Sequence, residues 1–427
     1  MNINNLYEVQ QSLFARSRDK IKPGLERMYN AVSEIGNPHL FCKAVHVAGT
    51  NGKGSTSTMI ANALLACGER VGLFTSPHVF SFGERFNING LAVKPEKWLK
   101  IYGELEDLCD RHGLTFFEIS TLIAFELFRR ESCSWVVLET GMGGRFDATN
   151  ICFPQACVIT TIGIDHTAYL GNTLEEITHE KLGIVKEGVP LIISGANEEK
   201  VLAQAQNYCF ERNSPLSVSN LSRIRNVANS ENPPEICLDL HGIYKLAMSG
   251  EFQKNNFMLA VTALETLGFG GRANIYESAA NTTVSARMQK MSLSGKSLIF
   301  DAAHNPQAME NLCASFKKEK PKRPTCAVLG IMSDKDIKGV VRHLISAVDH
   351  IVCFTPLTKR AELADYLAQT LRDLGAKSVT VCKSAHAALN AALEKGETVL
   401  ASGSFYAVSE VMGAANEKES DTEKNEN

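Results

Sequence analysis

A glycine-rich loop between an apolar strand and a helix constrains this chain more than any other stretch of its sequence. The run VHVAGTNGKGSTSTMIANALL occupies residues 45–65 and contains the loop Gly49–Ser55. Glycines adopt positive φ angles easily, so successive backbone N–H groups can close around phosphate oxygens at the positive end of the helix. Lys53 adds a point charge for the outer phosphates, and Ser55 offers a hydroxyl to phosphate or Mg²⁺.

The loop departs from the usual G-x-x-x-x-G-K-[ST] phosphate-binding pattern. Two residues, rather than four, separate Gly49 from Gly52, the glycine before Lys53, and Gly54 separates Lys53 from Ser55. A glycine-rich turn without a ligand is the alternative interpretation. The strand, loop, lysine, hydroxyl and helix nevertheless occur in the order that phosphate binding requires, and this favours a nucleotide site.

Strand-like and helix-like runs alternate along two parts of the chain, which predicts βαβ units and mostly parallel sheets. The predicted strands of the first part are Lys43–Val47, Val71–Phe74, Trp135–Glu139 and Cys157–Ile162. Those of the second part are Ser297–Asp301, Cys326–Gly330, His350–Phe354, Ser378–Cys382 and Thr398–Ala401. We therefore predict an α/β fold, in which a mostly parallel sheet domain with the phosphate loop (P-loop) precedes a smaller Rossmann-like α/β domain.

The length of 427 residues exceeds what one ordinary core supports, which also predicts two domains. The predicted boundaries are 1–288 and 289–412, with a junction near Val284–Lys296, where SLSGK supplies a turn-rich break. The remaining tail, 413–427, reads GAANEKESDTEKNEN. It contains no large apolar residue, so we predict that it is disordered.

The composition excludes several classes of protein. The 44 basic and 47 acidic side chains leave a net charge of −3, which argues against a broad nucleic-acid surface. No run of about 18 apolar residues predicts a membrane span, and residues 1–20 lack the apolar segment of a secretory signal. The twelve cysteines are scattered without a C-x-x-C pair, so we expect reduced thiols and a cytoplasmic protein.

Polar side chains follow several of the predicted strands, at the sheet edge where α/β proteins bind ligands. Ser76 lies in TSPH, Glu139 ends WVVLE, and His166 follows CVITTIGI. Mg²⁺ prefers one or two protein oxygens together with phosphates and water, so these positions predict a metal site. The alternatives are a helix cap for Ser76, a salt-bridged glutamate and a structural histidine, since imidazole is an unusual magnesium ligand. Asp301, in DAAHNP, would contact a ribose hydroxyl or orient an arginine.

These motifs together resemble folylpolyglutamate synthase/dihydrofolate synthase, within the muramyl-ligase-like group of ATP-dependent amide ligases. The matching segments are KPGLERM (22–28), GTNGKGS (49–55), TSPH (75–78), ERFNING (84–90), FFEISTLIAFELF (116–128), ETGMGGRFDATN (139–150), DHT-x-x-LG-x-T (165–173), EKLGIVK (180–186) and DAAHNP (301–306). The resemblance implies that ATP drives the ligation of L-glutamate to dihydropteroate, or to the glutamate tail of a folate, through an acyl phosphate. A related ligase with another carboxylate acceptor is the alternative.

The resemblance also implies roles that the spacing of the residues does not show. The residues implied to bind ATP are Gly52, Lys53, Gly54, Ser55, Asn256, Arg287 and Asp301. The implied magnesium ligands are Ser76, Glu139 and His166. The implied catalytic residues are Lys53, His166 and Lys181, and Lys181 matches a lysine that is carbamylated in relatives. From its pattern alone, Lys181 is an ordinary solvated lysine.

The resemblance further implies Mg²⁺ as cofactor, ATP as co-substrate and a monovalent cation as an additional candidate. The expected partners are small molecules only, and the expected state is a monomer. A muramyl peptide ligase would carry a further domain ahead of Gly49, where the sequence predicts none, and a GTPase switch would need an N-K-x-D element, which is absent. The choice between dihydropteroate and folate, the number of glutamates added and their linkage stay open.

Overall fold

The computed structural model describes residues 23–226, 234–239 and 241–426, together with Val9 and Leu13. Residues 1–20, where no secretory signal is predicted, therefore lie almost wholly outside the described residues. Lys22 of the KPGLERM motif and Asn427 also lie outside them.

An eight-stranded sheet carries the phosphate loop. Its strands are β1 (Lys43–Ala48), β2 (Val71–Phe74), β3 (Phe86–Ile88), β4 (Leu91–Ala92), β5 (Trp135–Glu139), β6 (Ala156–Ile159), β7 (Leu191–Ser194) and β8 (Leu216–Ser219). They lie in the order β4-β3-β2-β5-β1-β6-β7-β8, and only the pairings of β3 with β2 and β4 are antiparallel. Since β1 lies between β5 and β6, the carboxyl ends of these strands meet beside the loop that follows β1.

Helices and a small antiparallel sheet surround this sheet. The helices are α1 (Glu26–Glu34), α2 (Lys53–Ala66), α3 (Pro95–Arg111), α4 (Phe116–Arg130), α5 (Thr167–Leu170), α6 (Leu174–Leu182), α7 (Glu199–Glu211), α8 (Phe252–Thr266) and α9 (Ala273–Ala280). The small sheet contains β9 (Ile224–Asn226), β10 (Glu235–Leu238) and β11 (Gly242–Lys245). Helix α2 begins at the lysine of the phosphate loop and packs with α8 and α9 in one apolar core, which fixes the loop to the sheet.

The second part of the chain forms a six-stranded sheet with its own helices. Its strands are β12 (Gln289–Leu293), β13 (Lys296–Phe300), β14 (Thr325–Leu329), β15 (His350–Cys353), β16 (Val379–Val381) and β17 (Thr398–Ser402), in the order β12-β13-β17-β14-β15-β16. Its helices are α10 (Pro306–Lys318), α11 (Ile337–Ile345), α12 (Ala364–Asp373), α13 (Ala385–Lys395) and α14 (Phe405–Glu426). The predicted α/β class, with a mostly parallel first sheet followed by a smaller α/β unit, is confirmed. Across the described ranges, no helix combines the length and apolarity needed to cross a membrane.

Two predictions about chain organisation differ from the structure. The SLSGK segment is a hairpin turn between β12 and β13, where Ser294 and Gly295 have φ angles of 51° and 75°. The predicted disordered tail is wrong for its first residues, because α14 continues from Phe405 to Glu426. Ala414 and Ala415 are buried in the core of the second unit. Composition missed this because close helix packing needs only small side chains there.

Candidate active site

A cavity of about 500 Å³ lies where the carboxyl edge of the first sheet faces the second unit. Its wall includes every residue that the motifs or the resemblance marked: Gly52, Lys53, Gly54, Ser55, Ser76, Glu139, His166, Lys181, Asn256, Arg287 and Asp301. The structure therefore brings these residues together, although they are spread over some 250 positions of the chain. Their individual roles remain predictions.

Two glycines of the phosphate loop occupy positions where no side chain fits. Gly52 has a φ of 89°, and a Cβ atom there would lie 2.3 Å from Oδ1 of Asn256. A Cβ atom on Gly49 would lie 1.8 Å from Oγ1 of Thr160. These approaches hold the loop against the ends of the neighbouring elements, so that its backbone can line the cavity.

Two lysines, the buried Lys181 and the half-buried Lys53, donate to one carbonyl group of the loop. Nζ of Lys181 donates to the carbonyl oxygen of Gly49 at 2.7 Å, and Nζ of Lys53 donates to the same oxygen at 3.1 Å. Lys181 is only 3% exposed, so the prediction that this lysine is solvated is wrong. Burial lowers the pKa of both amines, to about 7 for Lys181. The cation of Lys53 at the glycine loop attracts anions, whereas Lys181 is partly uncharged near neutral pH.

Glu139 presents a buried carboxylate to this loop. Its Oε2 accepts a hydrogen bond from the backbone N–H of Ser76 at 3.0 Å. A Cβ atom on Gly54 would lie 3.5 Å from the same oxygen, so the carboxylate faces the loop closely. Burial raises its pKa, and within the described residues no Lys, Arg or His nitrogen lies within 4.0 Å of it. A buried carboxylate without a cationic partner is a candidate for binding a metal ion.

The described side chains alone do not form a complete metal site. Among the residues that the structure covers, no three His, Cys, Asp or Glu side chains converge in a way that would hold an ion. Burial lowers the pKa of His166 to about 4, so its imidazole is neutral and has a free lone pair. The donor set of Ser76, Glu139 and His166 therefore fits a cation that takes its other oxygens from phosphates and water, as Mg²⁺ prefers.

Arg287, just ahead of β12, and Asp301, which follows β13 in the second unit, both line the cavity. The carboxylate of Asp301 accepts from the backbone N–H groups of Met288, at 2.9 Å, and Ala303, at 3.0 Å. The guanidinium of Arg287 lies over the ring of Phe405, 4.9 Å from its centroid. Asp301 thus holds the segment next to Arg287, where the chain passes from the first unit to the second, and the arginine lines the cavity.

A polar cluster that the sequence did not reveal joins the two units beside the cavity. We call Asn51, Asp165, Asn305 and Lys335 the cross-domain cluster. The amides of Asn51 and Asn305 pair reciprocally at 3.0 and 3.3 Å. Asp165 accepts from Nζ of Lys335 at 2.6 Å and from Nδ2 of Asn305 at 3.1 Å. Three of these residues lie in the quoted motifs, but their pairing with each other depends on tertiary structure.

Comparison with protein families gives two matches. The Mur ligase middle domain matches residues 47–264, and the glutamate ligase domain of Mur ligases matches residues 286–405. The dihydrofolate synthetase of Saccharomyces cerevisiae is 33% identical over 351 residues, which cover 78% of this chain and 81% of the yeast protein. The dihydrofolate synthase/folylpolyglutamate synthase of Bacillus subtilis is 31% identical over 374 residues, or 82% of this chain and 85% of that protein.

Solved structures show the same fold. Folylpolyglutamate synthase of Mycobacterium tuberculosis, complexed with ADP and AMPPCP, has a TM-score of 0.88 at 27% identity, covering 96% of this chain and 98% of that one. FolC of E. coli, in complex with DHPP and ADP, has a TM-score of 0.85 at 30% identity, covering 97% and 98%. A bifunctional folylpolyglutamate synthase/dihydrofolate synthase with Mn, AMPPNP and L-glutamate bound has a TM-score of 0.81 at 28% identity, covering 96% and 98%.

Proposed function

Because the chain belongs to the dihydrofolate synthase/folylpolyglutamate synthase group of ATP-dependent Mur ligases, we propose that it joins L-glutamate to dihydropteroate, to the glutamate tail of a folate, or to both. One observation carries this proposal: the glycine loop with Lys53 and the buried carboxylate of Glu139 line one cavity that the second unit completes. That arrangement can bind a nucleoside triphosphate and exclude water from its phosphates.

The proposed chemistry solves the problem that a carboxylate is a poor electrophile. An acceptor carboxylate oxygen attacks the γ-phosphorus of ATP, the bond to ADP breaks, and an acyl phosphate forms. The glutamate nitrogen then attacks the acyl carbon, phosphate leaves, and the amine loses a proton to solvent. Lys53 and Arg287 would stabilise charge on the transferring phosphoryl group, and the two-unit cavity would shield the acyl phosphate from hydrolysis.

We propose that the divalent cation is Mg²⁺ and that Ser76, Glu139 and His166 hold it together with ATP phosphates. When bound, the cation would neutralise phosphate charge. The relative with Mn and AMPPNP bound supports a divalent cation beside a nucleotide in this family. The monovalent cation remains a prediction from the resemblance.

Glu139→Gln is expected to abolish the stabilisation that Mg²⁺ and ADP together give to the wild-type protein. The glutamine side chain would lack the negative charge but keep an acceptor for the Ser76 amide. Without ligands, the variant should be at least as stable as the wild type. Because the pKa of Glu139 in the folded protein is raised above 4.5, the free energy of unfolding of the wild type falls as the pH rises from 4.5 through that raised pKa. The substitution removes this pH dependence. Thermal unfolding with and without Mg²⁺ and ADP measures both effects; an unchanged metal-dependent shift would contradict the metal role.

Lys181 is expected to carry a carbamate in the active protein. An amine with a pKa of about 7 is substantially uncharged at neutral pH and can attack CO₂, whereas an ordinary lysine is almost fully protonated. Labelled bicarbonate should therefore give a carbamate signal that fades as pH falls below about 7 and is absent in Lys181→Ala. Lys181→Ala should lower the rate of ligation at least tenfold, roughly the effect of removing one charge interaction. Formate or acetate should restore part of the rate, because either carboxylate can take the place of the carbamate. Lys200→Ala, at an exposed lysine, is the control.

The proposed function is tested by the release of ADP from the purified protein. ATP and L-glutamate would be supplied with dihydropteroate, with tetrahydrofolate or with no acceptor. ADP formation that requires both glutamate and one of these acceptors supports the proposal. Release that depends on another carboxylate acceptor instead would favour the related amide ligase.

We further propose domain boundaries at 1–288 for ATP and acceptor binding and 289–412 for the glutamate-ligase domain. We also propose a cytoplasmic location, because none of the twelve cysteines forms a disulfide, and a monomer, as the resemblance implies.

A further inference from the structure

Arg85 is a buried cation whose hydrogen-bond partner carries no charge. It is 6% exposed, at the end of a one-turn helix, Phe82–Arg85. Its Nε donates to Nδ1 of His78 at 3.0 Å. Because Nδ1 accepts this hydrogen bond, it carries no proton, and the imidazole satisfies one donor of Arg85 without compensating the charge.

Aromatic rings occupy two sides of this guanidinium. Its central carbon lies 5.2 Å from the centroid of Phe116 and 5.9 Å from that of Phe82. Cation–π contacts of this kind compensate only part of the lost hydration of a buried cation. Within the described ranges no carboxylate lies within 4.0 Å of the Arg85 guanidinium, and the one hydrogen bond of this side chain there is the bond to His78.

The acidic groups nearest to Arg85 are engaged elsewhere. Both carboxylate oxygens of Glu84 accept from backbone N–H groups, at 2.8 Å from Val79 and at 3.0 Å from Phe80. Glu139 accepts from Ser76 and faces the phosphate loop. In the part of the chain that the structure describes, the terminal nitrogens of Arg85 are thus left without an anionic partner, although the planar guanidinium is suited to bind a carboxylate with two hydrogen bonds.

Arg85 lies next to the metal-binding end of the cavity. Its carbonyl oxygen accepts from the backbone N–H of Thr75 at 3.1 Å, which places it beside the segment that carries Ser76. Ser76 and Pro77 line the cavity. From the second unit, Tyr406 acts electrostatically on Arg85 and directly follows Phe405, which also lines the cavity. The guanidinium therefore lies near both units.

We propose that Arg85 binds a substrate carboxylate, which supplies the missing anion when the site is filled. This inference rests on the proposed ligase function and assigns a residue to it. Three substrate groups could supply this carboxylate: the α-carboxylate of glutamate, the side-chain carboxylate of glutamate and the carboxylate of the acceptor. The competing explanation is a purely structural role, in which Arg85 only packs between Phe82 and Phe116.

The test compares charged substrates with their neutral amides in Arg85→Met, Arg85→Lys and the wild type. Steady-state kinetics would be measured for L-glutamate, for glutamine, which lacks the side-chain charge, for isoglutamine, which lacks the α charge, and for dihydropteroate and tetrahydrofolate. Arg129→Met is the matched control, because Arg129 also lies over a phenylalanine, Phe41, but pairs with Glu126. ADP affinity and thermal unfolding report whether each variant folds.

We expect Arg85→Met to raise the KM of one substrate roughly ten- to hundredfold, as expected for a lost charged hydrogen bond. If a glutamate carboxylate is the ligand, the preference of the enzyme for glutamate over the corresponding neutral amide should be lost. If only the KM of the acceptor rises, the acceptor carboxylate is the ligand. Arg85→Lys should retain an intermediate preference. Equal losses with charged and neutral substrates, or unchanged KM values, would overturn the proposal. If Arg85→Met does not fold, the same comparison in Arg85→Lys decides. A wild type that ligates no glutamate would refute the proposed function instead.

Discussion

Lys53→Ala is expected to lower the rate of ligation at least a hundred- to thousandfold, the usual loss when one preorganised group that stabilises transition-state charge is removed. The amine lies at the mouth of the glycine loop, bonded to the carbonyl oxygens of Gly49 and Thr50, and it would turn to the outer phosphates when ATP binds. The fold should survive. Burial already disfavours the charged form of Lys53, and no ion pair of this lysine within the described residues is lost.

The measurement combines kcat/KM for ATP with thermal unfolding. Lys100→Ala, at an exposed position of α3, should leave both unchanged and serves as the control. A Lys53→Ala protein that folds and turns over at a near-normal rate would show that the loop does not hold the transferred phosphate.

Lys335→Met is expected to lower the free energy of unfolding by about 3–5 kcal/mol, the range seen when one partner of a buried ion pair is removed. Lys335 and Asp165 are each only 7% exposed, with Nζ 2.6 Å from Oδ1. The substitution would leave the aspartate buried next to the interface of the two units. Urea denaturation of the ligand-free protein at neutral pH measures the loss.

Two further variants identify the cause of that loss. Lys338→Met changes an exposed lysine three positions along the chain and should alter the unfolding free energy by less than about 0.5 kcal/mol. Combining Lys335→Met with Asp165→Asn removes the unpaired buried charge of Asp165, so the double variant should regain much of the lost free energy of unfolding. If Lys335→Met were as stable as the control, the ion pair would contribute nothing to joining the units.

The phosphate loop and the sheet edge could be predicted because their signals are local. Strand, glycines, lysine and helix follow each other within about twenty residues of sequence, and Glu139 ends an apolar run that is strand β5. Prediction was less accurate where tertiary contacts end an element. The strand predicted at Cys157–Ile162 ends at Ile159 because the chain then turns, and Thr161 bridges Asn51 of the phosphate loop.

The rest of the site depends on contacts between residues far apart in the chain. Asn51 and Asn305 are separated by 254 positions, and Asp165 and Lys335 by 170. No periodicity or spacing encodes such a pairing. The charge state of Lys181 escaped prediction for the same reason, since its burial arises from packing against the loop that follows β1.

Asn305 performs three tasks with one amide. Its oxygen caps helix α10 at the N–H of Ala308, at 2.9 Å, while its nitrogen donates to Asn51 and to Asp165. Rotation of the second unit against the first must therefore disturb Asn51 and with it the phosphate loop that would hold the nucleotide. By thermodynamic reciprocity, nucleotide affinity and interdomain orientation should be linked, so that a substitution in α10 far from any ligand would register in an ADP titration.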